Sequence, residues 1–583
     1  MSDSPSKRLL ADEEATEKLD RGVATVAKYV GMTMGPKGRN VILRLGGIGE
    51  GKIISTKDGV FVANHIKLAD PEEDMGAQMS VEASRKTNDA AGDGTTCTVV
   101  LIDAMLREAR RCTKIGMNPI LIQEGMQLEK DRVIKFLEEY GNDVKTEKDI
   151  YNIALVSCQD KDLAQKCTKI TMDVGKYGTV GVEATTGPHY IDCRVVKGMH
   201  FDVGFEARLS HMTAASVAGQ LQRKGSVSKL TWENDDVGVL IFDEPVRQWN
   251  DVGHIFSACV DAKKKKLLII GEFHDDAALG LQTQLLQEIF SACTISRSNF
   301  QGDLGREVLK DIAAYCGAQF LSPADGTMPS RHNAITNIDS ILGSCTASIG
   351  AASFSLTRGI GGEEAVNTRV SLIETLMESG GLNDYEKQKC KERIARFRAG
   401  IGTITIYAPT FVQQESIRTR VDDAVSAIRS ANEEGVVAGG GVALLRCHQW
   451  LTGFLDPIYV ITDSNINAGR QIVQQALLEP ARKISEIAGE EKGVRLAQLL
   501  KHDWKSTMGY NYWTEQEADL ITDGILDPKK VVRLCVENAV STVGELLRAG
   551  ATIVDMPRQE VEEPYLSPRE RAERAHSRRA RQG

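Results

Sequence analysis

The stretch Gly92-Asp93-Gly94-Thr95-Thr96 has the residue types that bind phosphate. Its glycines let the backbone approach an anion closely, and the helix predicted to start here would point its free N–H groups and positive dipole end at that anion. The two threonines add hydroxyl donors. A carboxylate beside a phosphate is repulsive unless a divalent cation bridges them, so Asp93 suggests a Mg²⁺ ligand. The same residues also suit a plain helix start capped by Asp93, and the local sequence leaves both interpretations open.

Other glycine-rich stretches could face a nucleotide, but each is weak alone. Residues 46–53 match the start of a Walker A loop, yet Ile53 stands where a Mg²⁺-binding hydroxyl is needed, and a strand is predicted where a P-loop requires a helix. We therefore disfavour a P-loop there. The remaining candidates are the glycine turns at 33–36, 56–59 and 439–441. Because glycine turns are common, spacing alone favours ordinary turns at these places.

The elements around these stretches are mainly helical at both ends of the chain and strand-rich in the middle. Helical apolar spacing runs through 19–32 and 74–86, and again through 98–140. A later helix is predicted at 423–434, and another opens at Val442. Predicted strands lie at 41–43, 53–56, 180–182, 191–199, 237–242, 267–270 and 403–406. The continuously apolar runs in the middle predict buried parallel strands, and so an α/β region from about 197 to 400.

Composition excludes several classes of protein. The chain has 583 residues, enough for roughly three to four domains, and 71 basic against 80 acidic side chains give a formal charge of −9. This balance disfavours nucleic-acid binding, and we interpret the basic run 263–266 as a solvated helix end. No apolar run approaches the length of about 18 residues that spans a bilayer, so we expect no membrane association.

Cysteine usage and the two ends of the chain indicate the compartment. The twelve cysteines include no C-x-x-C pair, so we expect reduced, mostly buried thiols and no zinc site. The N-terminal residues are acidic and lack an apolar segment, which predicts a cytoplasmic protein. Residues 557–583 are rich in arginine and poor in apolar residues, which predicts a disordered tail.

Four motifs together carry a resemblance that none carries alone. They are TMGPKGRN at 33–40, TKDG at 56–59, NDAAGDGTT at 88–96 and EEGVVAGGGVAL at 433–444. In this order, and with GMNP at 116–119, VKGM at 196–199 and GILDP at 524–528, the chain resembles the group I chaperonins, the GroEL-type family. The similarity spans about residues 19–556.

The resemblance implies a multi-domain α+β fold in which the chain folds back on itself. A mainly helical equatorial ATPase domain would combine 1–139 with 434–556. A small α/β intermediate hinge domain would combine 140–196 with 402–433, and an α/β apical, client-binding domain would be the insert 197–401.

The resemblance also implies the site residues and cofactors: ATP, Mg²⁺ and K⁺. Asp58 and Asp423 would orient and activate the attacking water, with Asp423 arriving when the hinge closes, and Asp93 would bind Mg²⁺. Lys57 would lie near the K⁺ site. The other ATP-binding positions would be Thr33, Met34, Gly35, Pro36, Gly94, Thr95, Thr96, Cys97, Gly440, Asn511 and Asp527.

Several positions depart from the family pattern. Cys97 stands where a third threonine is usual, and Tyr512-Trp513 follow Asn511 where small residues are expected. Comparison with the family pattern predicts an insertion of about a dozen residues between Ser210 and Lys266. Such divergence is typical of a specialised copy, for example one encoded by a bacteriophage, in which case the compartment would be the host cytoplasm.

Client proteins would bind in an apical groove through apolar side chains, since unfolded proteins are recognised by exposed hydrophobic surface. The matching positions are Phe205, Leu209, Ile255, Phe256 and Leu279, although each could equally be a core residue. Thr283 and Gln284 stand where the family has branched apolar residues, which makes the groove more polar and leaves open whether a co-chaperonin lid is used.

The functional prediction is an ATP-driven chaperonin that forms seven-membered rings, single or double, and folds non-native proteins. The alternatives are a ring-forming scaffold or narrow-client holdase with ATPase activity, and a phosphotransferase with a small substrate. The ten scattered histidines supply no convincing acceptor site for the latter. Retained Asp58, Asp93 and Asp423 argue against a dead ATPase.

Overall fold

The computed structural model describes most of the chain. The described residues are 7–45, 52–144, 146–175, 178–188, 190–201, 203–204, 232–329, 335, 337–350, 353–378, 383–398, 400–453, 462–490 and 493–555. The predicted tail at 557–583 and most of the suspected insertion after Ser210 lie outside these ranges.

The first part of the chain is helical, with one hairpin, as the apolar spacing predicts. Asp70 caps α3 by accepting N–H bonds from Glu72 and Glu73, and Asn118 caps α5 in the same way through Ile120. Both helices have proline in their first turn, where its missing N–H costs nothing. The elements are β1 (Lys7–Ala11), α1 (Asp12–Gly31), β2 (Val41–Leu45), β3 (Lys52–Thr56), α2 (Gly59–His65), α3 (Pro71–Ala91), α4 (Thr95–Lys114) and α5 (Pro119–Tyr140).

The middle of the chain builds a mixed sheet that is nine-stranded among the described residues. Its order is β4-β12-β5-β11-β10-β6-β7-β8, with β9 also paired to β6. β6 and β7 are parallel neighbours, which confirms the prediction from their apolar runs, and β8, where no strand is predicted from the sequence, pairs with β7 in parallel as well. The elements are α6 (Glu147–Cys158), α7 (Lys161–Val174), β4 (Thr179–Thr186), β5 (Tyr190–Phe201), β6 (Trp232–Phe242), α8 (Trp249–Asp261), β7 (Lys266–Gly271), α9 (Asp275–Leu286), β8 (Ser291–Ser296), α10 (Gly302–Cys316), β9 (Phe320–Leu321), β10 (Gly343–Ile349), β11 (Phe354–Thr357), α11 (Gly362–Glu378), α12 (Asp384–Arg398) and β12 (Gly400–Ala408).

The last part returns to helix. The helix predicted at 423–434 does end at Gly435, but it begins at Phe411 because Thr410 caps it there. β17 pairs with β1, so the two ends of the described chain meet in one small sheet. The elements are α13 (Phe411–Glu434), β13 (Val436–Ala438), α14 (Val442–Gly453), α15 (Ser464–Ala476), α16 (Glu479–Ile487), α17 (Val494–Leu499), β14 (Met508–Asn511), β15 (Gln516–Asp519), β16 (Leu526–Pro528), α18 (Lys529–Arg548) and β17 (Ala551–Asp555).

The buried apolar residues form separate cores. One large core joins residues between 19 and 137 to residues between 437 and 547. A second joins 150–191 to 404–436, and two more lie on the two faces of the sheet between 199 and 356. The fold is therefore a multi-domain α+β structure with an inserted α/β unit, as predicted, while the exact domain limits stay predictions.

Strand β5 marks the passage from the second core to the inserted unit. It pairs with β12 as far as Lys197 and with β11 from Gly198 onward. Within the described ranges, no helix has both the length and the apolar character needed to cross a membrane.

Candidate functional site

The turn between α3 and α4 forms the centre of the site. Gly92 and Gly94 both have left-handed backbones, with φ of 74° and 96°. A Cβ on Gly94 would lie 2.8 Å from the Cys535 sulfur and 2.9 Å from Thr87 and Val531, so only glycine fits there. The glycine at 94 therefore lets the turn pack closely against α3 and α18.

Helix α4 begins at this turn without a side-chain cap among the described residues. Its N-cap residue is Gly94, and Asp93 Oδ1 accepts only the Gly94 N–H, at 2.6 Å. Asp93 is therefore not the helix cap, which removes the plainer of the two interpretations of this motif. In the described part of the chain, the buried Thr95 hydroxyl also has no hydrogen-bond partner. Both features suit a site that holds an anion at a helix N-terminus.

Two further loops predicted to bind nucleotide converge on this turn. Thr33 Oγ1 lies 3.5 Å from Thr96 Oγ1. A Cβ on Gly59 would lie 2.3 Å from the Thr96 hydroxyl and 3.4 Å from that of Thr33, so the three loops touch. Lys57 Nζ donates to the Pro36 carbonyl at 3.3 Å, which ties the second loop to the first.

The described end of the Walker-like stretch is a strand. Its glycines at 46–51 lie outside the described residues, but the residues that follow, Lys52–Thr56, form strand β3 rather than a helix. The prediction that this stretch is not a P-loop is confirmed on that ground.

Helix α13 docks directly on the glycine turn. Ser430 Oγ donates to the Ala91 carbonyl at 2.9 Å. A Cβ on Gly92 would lie 1.9 Å from the Ser426 Cβ, which is possible only because residue 92 is glycine. Asp423, on the same helix, therefore reaches the site although about 330 residues separate it from Asp93 in sequence.

Three carboxylates from three separate elements lie close enough here to interact electrostatically. Burial raises the pKa of Asp423 well above its usual range, and the charges of Asp93 and Asp58 raise it further. Solvent reaches Asp93, but protein surrounds it closely; this desolvation raises its pKa, and so does the charge of Asp58. Burial also raises the pKa of Asp58, partly offset by the N–H of Val60, which Asp58 accepts at 2.8 Å as the cap of α2.

This arrangement fits a divalent cation. Carboxylates that repel one another are stabilised when a metal ion lies among them. Within the described ranges, no three acidic, histidine or cysteine side chains form a ready-made metal cage. That fits Mg²⁺, which commonly binds through one or two carboxylates plus substrate phosphates.

Two of the predicted adenosine-binding residues, Gly440 and Asp527, lie near Asp93. Gly440, with φ of 64°, follows β13 and donates its N–H to Asp527 on β16, which pairs with β13. Burial and the charge of Asp93 raise the pKa of Asp527 to about 7. Gly35 faces Ile484 of α16, at 3.2 Å from a Cβ placed on the glycine, and Met34 beside it is half-buried.

Asn511 ends β14, and its side chain shapes the hairpin tip. Its oxygen accepts the N–H groups of Trp513 and Thr514, and its nitrogen donates to Asp523 at 3.0 Å. Tyr512 turns inward, with its hydroxyl 2.7 Å from Ser485 Oγ, whereas Trp513 is exposed. A direct contact of Asn511 with adenosine stays a prediction.

The predicted client-binding residues divide into two groups. Ile255 and Phe256 are 0% and 2% exposed, and Phe256 stacks on Trp249 and Phe290 inside the core. Their assignment to the groove is therefore wrong in this structure: they lie on the face of α8 that packs against the sheet. Leu279 on α9 is 64% exposed, as a client-binding residue should be. Phe205 and Leu209 lie outside the described residues.

Sequence reasoning missed the residues that hold the elements of the site together without binding the ligand. Ser426 and Ser430 hold α13 on the turn, and Gln159 Oε1 accepts from Lys57 Nζ at 3.0 Å. Cys535 donates to the Gly94 carbonyl at 3.3 Å. Single serine, glutamine and cysteine residues carry no signal in a sequence; only the serine spacing of four on one helix face could have suggested a contact.

The fold matches those of known proteins. The crystal structure of the chaperonin gp146 from the bacteriophage EL 2 (Pseudomonas aeruginosa), in the presence of ATP-BeFx, matches in crystal form II with a TM-score of 0.72 at 20% identity, covering 95% of this chain and 100% of that one. Crystal form I matches with a TM-score of 0.65 at 19% identity, covering 94% and 99%. At these identities the likeness shows a shared fold. The model of the TCP-1/cpn60 chaperonin family matches residues 26–557. The chain therefore belongs to the TCP-1/cpn60 chaperonin family.

Proposed function

We propose that this chaperonin binds ATP with Mg²⁺ and K⁺ at the α3–α4 turn, hydrolyses it when α13 is docked, and uses the cycle to fold captured proteins. The observation that carries the proposal is the meeting of Asp58, Asp93 and Asp423 beside the uncapped start of α4. ATP-dependent chaperone function agrees with the family. ATP hydrolysis, the individual residue roles and both metal ions belong to the proposal.

The geometry suits phosphoryl transfer to water, which depends on positioning and charge neutralisation. The first N–H groups of α4 and the hydroxyls of Thr95 and Thr96 would hold phosphate oxygens. Asp93 would hold the metal, and bound Mg²⁺ would supply charge neutralisation on the phosphates. Asp58 has one oxygen committed to capping α2, which fixes the direction of the other. Asp423 would then orient the attacking water and accept its proton.

Because one of these carboxylates lies on α13, ATP hydrolysis would depend on the position of that helix. The helix contacts the turn through Ser426 and Ser430, so hydrolysis would wait until that contact forms. Lys57 would respond to the same movement of α13. It donates to Gln159 at the C-terminal end of α6, and α6 packs with α13 in the second core.

Exposed apolar side chains support ring assembly and client capture. Leu9, Ile42, Ile53 and Ile553 are exposed on the two small sheets β1–β17 and β2–β3, whose outer edges are unpaired in the described chain. Such surfaces are typical of subunit contacts, and we propose seven-membered homo-oligomeric rings. Leu279 and Leu286 on α9 would contact non-native clients. The proposed compartment is the cytoplasm, that of the host if the gene is viral.

The decisive experiment compares wild type with Asp423→Ala in ATP binding, ATP turnover and recovery of a chemically denatured enzyme. We expect unchanged binding, turnover lower by about 10²–10⁴-fold, and no ATP-dependent recovery, because the variant loses a proton acceptor but no phosphate ligand. Asp422→Ala, next to it on the same helix, is the matched control and should turn over ATP normally.

Undiminished turnover in Asp423→Ala would remove the assignment of Asp423. Normal wild-type turnover without recovery of any denatured enzyme would favour the scaffold or holdase alternative, which the family match does not favour. Negative-stain images with and without ATP would test the ring.

A further inference from the structure

The largest fully buried side chain in the described part of the chain is an arginine. Arg446 is 0% exposed and lies in the second turn of α14, the helix that follows the glycine triplet at 439–441. A buried guanidinium is costly unless its N–H groups find acceptors. The acceptors of Arg446 therefore indicate what this side chain does.

Arg446 donates mainly to the backbone of one loop, residues 499–508, which runs from the end of α17 to the start of β14. Each of its three nitrogens donates to at least one carbonyl of this loop, and the Gln449 side chain accepts a further bond at 2.8 Å. None of these acceptors is a carboxylate, so the guanidinium pairs with the loop and not with a counter-ion. The carbonyls are those of Leu499 at 2.8 Å, His502 at 3.5 Å, Ser506 at 3.0 Å and Met508 at 2.7 Å.

Two neighbouring side chains supply further donors to the same loop. Gln449, one turn along α14, donates to the carbonyls of Leu500 and His502 at 3.0 and 2.8 Å. Tyr140, at the end of α5, donates to the Ser506 carbonyl at 3.1 Å. The loop thus receives from side chains the hydrogen bonds that a helix or strand would supply from its own backbone.

The loop leads directly into a segment predicted to bind adenosine. Met508, whose carbonyl accepts from Arg446, is the first residue of β14, and Asn511 is the last. Beyond Asn511, the hydroxyl of Tyr512 lies 2.7 Å from Ser485 Oγ on α16. The β14–β15 hairpin is therefore attached to α14 at its base and to α16 at its tip.

We propose that Arg446 is a positioning residue for nucleotide binding, because it fixes the 499–508 loop and, through that loop, the hairpin that carries Asn511. The inference rests on the proposed function for its effect on ATP, but the effect on the hairpin does not depend on that function. The phosphate turn between α3 and α4 receives none of the hydrogen bonds described above for Arg446. Arg446 would therefore act on nucleotide affinity and not on the chemical step.

The arrangement needs the donors of arginine and not only a positive charge. A guanidinium carries five N–H groups in a planar fork, whereas lysine has three donors on one nitrogen. Arg446→Lys would keep the charge but could not bond all four carbonyls from a single nitrogen. Buried carbonyls left without a donor destabilise the conformation that buries them, so the loop and the hairpin should move more.

The experiment compares full-length wild type with Arg446→Lys. Hydrogen–deuterium exchange without nucleotide measures peptides that cover 508–519 and 92–100, and ATP titration and steady-state kinetics give Kd, KM and kcat. We expect faster exchange at 508–519 and unchanged exchange at 92–100. A hairpin in place only about a tenth of the time would raise Kd and KM for ATP about tenfold. The kcat at saturating ATP should stay within about twofold, because the lost interaction is the same in ground state and transition state.

Two other variants accompany it. Gln449→Met removes the donor to Leu500 and His502 but leaves the arginine, so it should change exchange and affinity in the same direction by less. It decides the question if Arg446→Lys does not fold. Arg110→Lys is the matched control, because Arg110 also donates to a backbone carbonyl, that of Leu546 at 2.9 Å, at the far end of α4. It should lose some stability and keep wild-type exchange at 508–519 and wild-type affinity.

Wild-type exchange at 508–519 in the folded Arg446→Lys protein would overturn the inference, as would faster exchange with unchanged ATP affinity. A lower kcat with unchanged KM would contradict it as well, because Arg446 would then act on the chemical step. Equal effects in Arg110→Lys would make Arg446 a general stabilising residue. If wild type bound no ATP, the proposed function would fail, and the exchange data would still decide whether Arg446 holds the hairpin.

Discussion

Gly92→Ala should separate ATP binding from ATP hydrolysis. The added Cβ would lie 1.9 Å from the Ser426 Cβ and 2.5 Å from its hydroxyl oxygen. Carbon atoms in contact need about 3.5–4.0 Å, so α13 must retreat by roughly 1.5–2 Å. Asp423 would retreat with it, whereas the start of α4 would stay in place.

The expected result is a loss of turnover of about 10²-fold with ATP affinity changed only a few-fold, because reacting groups tolerate displacements of less than about 1 Å. Fluorescent-nucleotide titration and single-turnover hydrolysis measure the two quantities separately. The backbone strain of a left-handed alanine, about 1–2 kcal/mol, is a separate effect on stability.

Two further variants isolate the clash from that strain. Gly116→Ala also places alanine at a positive φ, of 94°, but with nothing within 4 Å of its Cβ, so it should lose some stability and keep its turnover. Ser426→Gly added to Gly92→Ala removes the clashing atoms and leaves the Ser426 Cα at 3.2 Å. The double variant should regain about tenfold or more in turnover. Its stability should fall by about 1 kcal/mol, because glycine in the middle of a helix is unfavourable. Normal turnover in Gly92→Ala, or no rescue in the double variant, would refute the docking argument.

Three other predictions follow from the site and the groove. The pKa of Asp527 is about 7 in the folded protein and about 4 in the unfolded chain, so the folded state binds more protons between these pH values. The free energy of unfolding of the nucleotide-free protein should therefore fall by up to about 4 kcal/mol as the pH rises from about 4 to 7. Urea unfolding at several pH values measures this, and a slope that persists unchanged in Asp527→Asn would contradict it. Asp93→Asn should abolish the stabilisation that Mg²⁺ and ATP together give in thermal unfolding; a Tm shift equal to wild type would exclude Asp93 as the metal ligand. Ile255→Ala should cost about 2–5 kcal/mol of unfolding free energy, as for a core residue, whereas Leu279→Ser should leave stability intact and weaken co-sedimentation of a denatured client; the reverse pattern would restore Ile255 to the groove.

Much of the fold could be predicted from local patterns. Helix α4 is predicted by its apolar spacing, because burial of one face leaves a helical period in the sequence. Strands β6 and β7 are predicted by short continuous apolar runs, because both of their faces are buried. The residues at which helices begin and end were harder to predict. Helix α13 begins at Phe411, well before the predicted residue 423, although the T-x-x-Q pattern of Thr410 and Gln413 is a signature of a capped helix start; Thr410 accepts the Gln413 N–H.

The groove shows where pattern reasoning fails. Ile255, Phe256 and Leu279 are all apolar residues on helices, and their types do not tell which face of the helix meets the sheet. The structure decides this by packing Phe256 between Trp249 and Phe290, which turns that side of α8 inward and leaves Leu279 on α9 facing solvent.

Local sequence was enough to indicate which residues could hold a phosphate and a metal, because glycine, threonine and aspartate act through local backbone freedom and side-chain chemistry. It could not decide whether Asp93 caps a helix or awaits a ligand, since that depends on which N–H groups its oxygens meet. Only the tertiary structure brought Asp423 to Asp58 and Asp93, by resting α13 on a turn that has no side chain at Gly92. Contacts between residues hundreds of positions apart leave no periodic trace in a single sequence. The resemblance could imply this contact, but only the folded chain shows how α13 makes it.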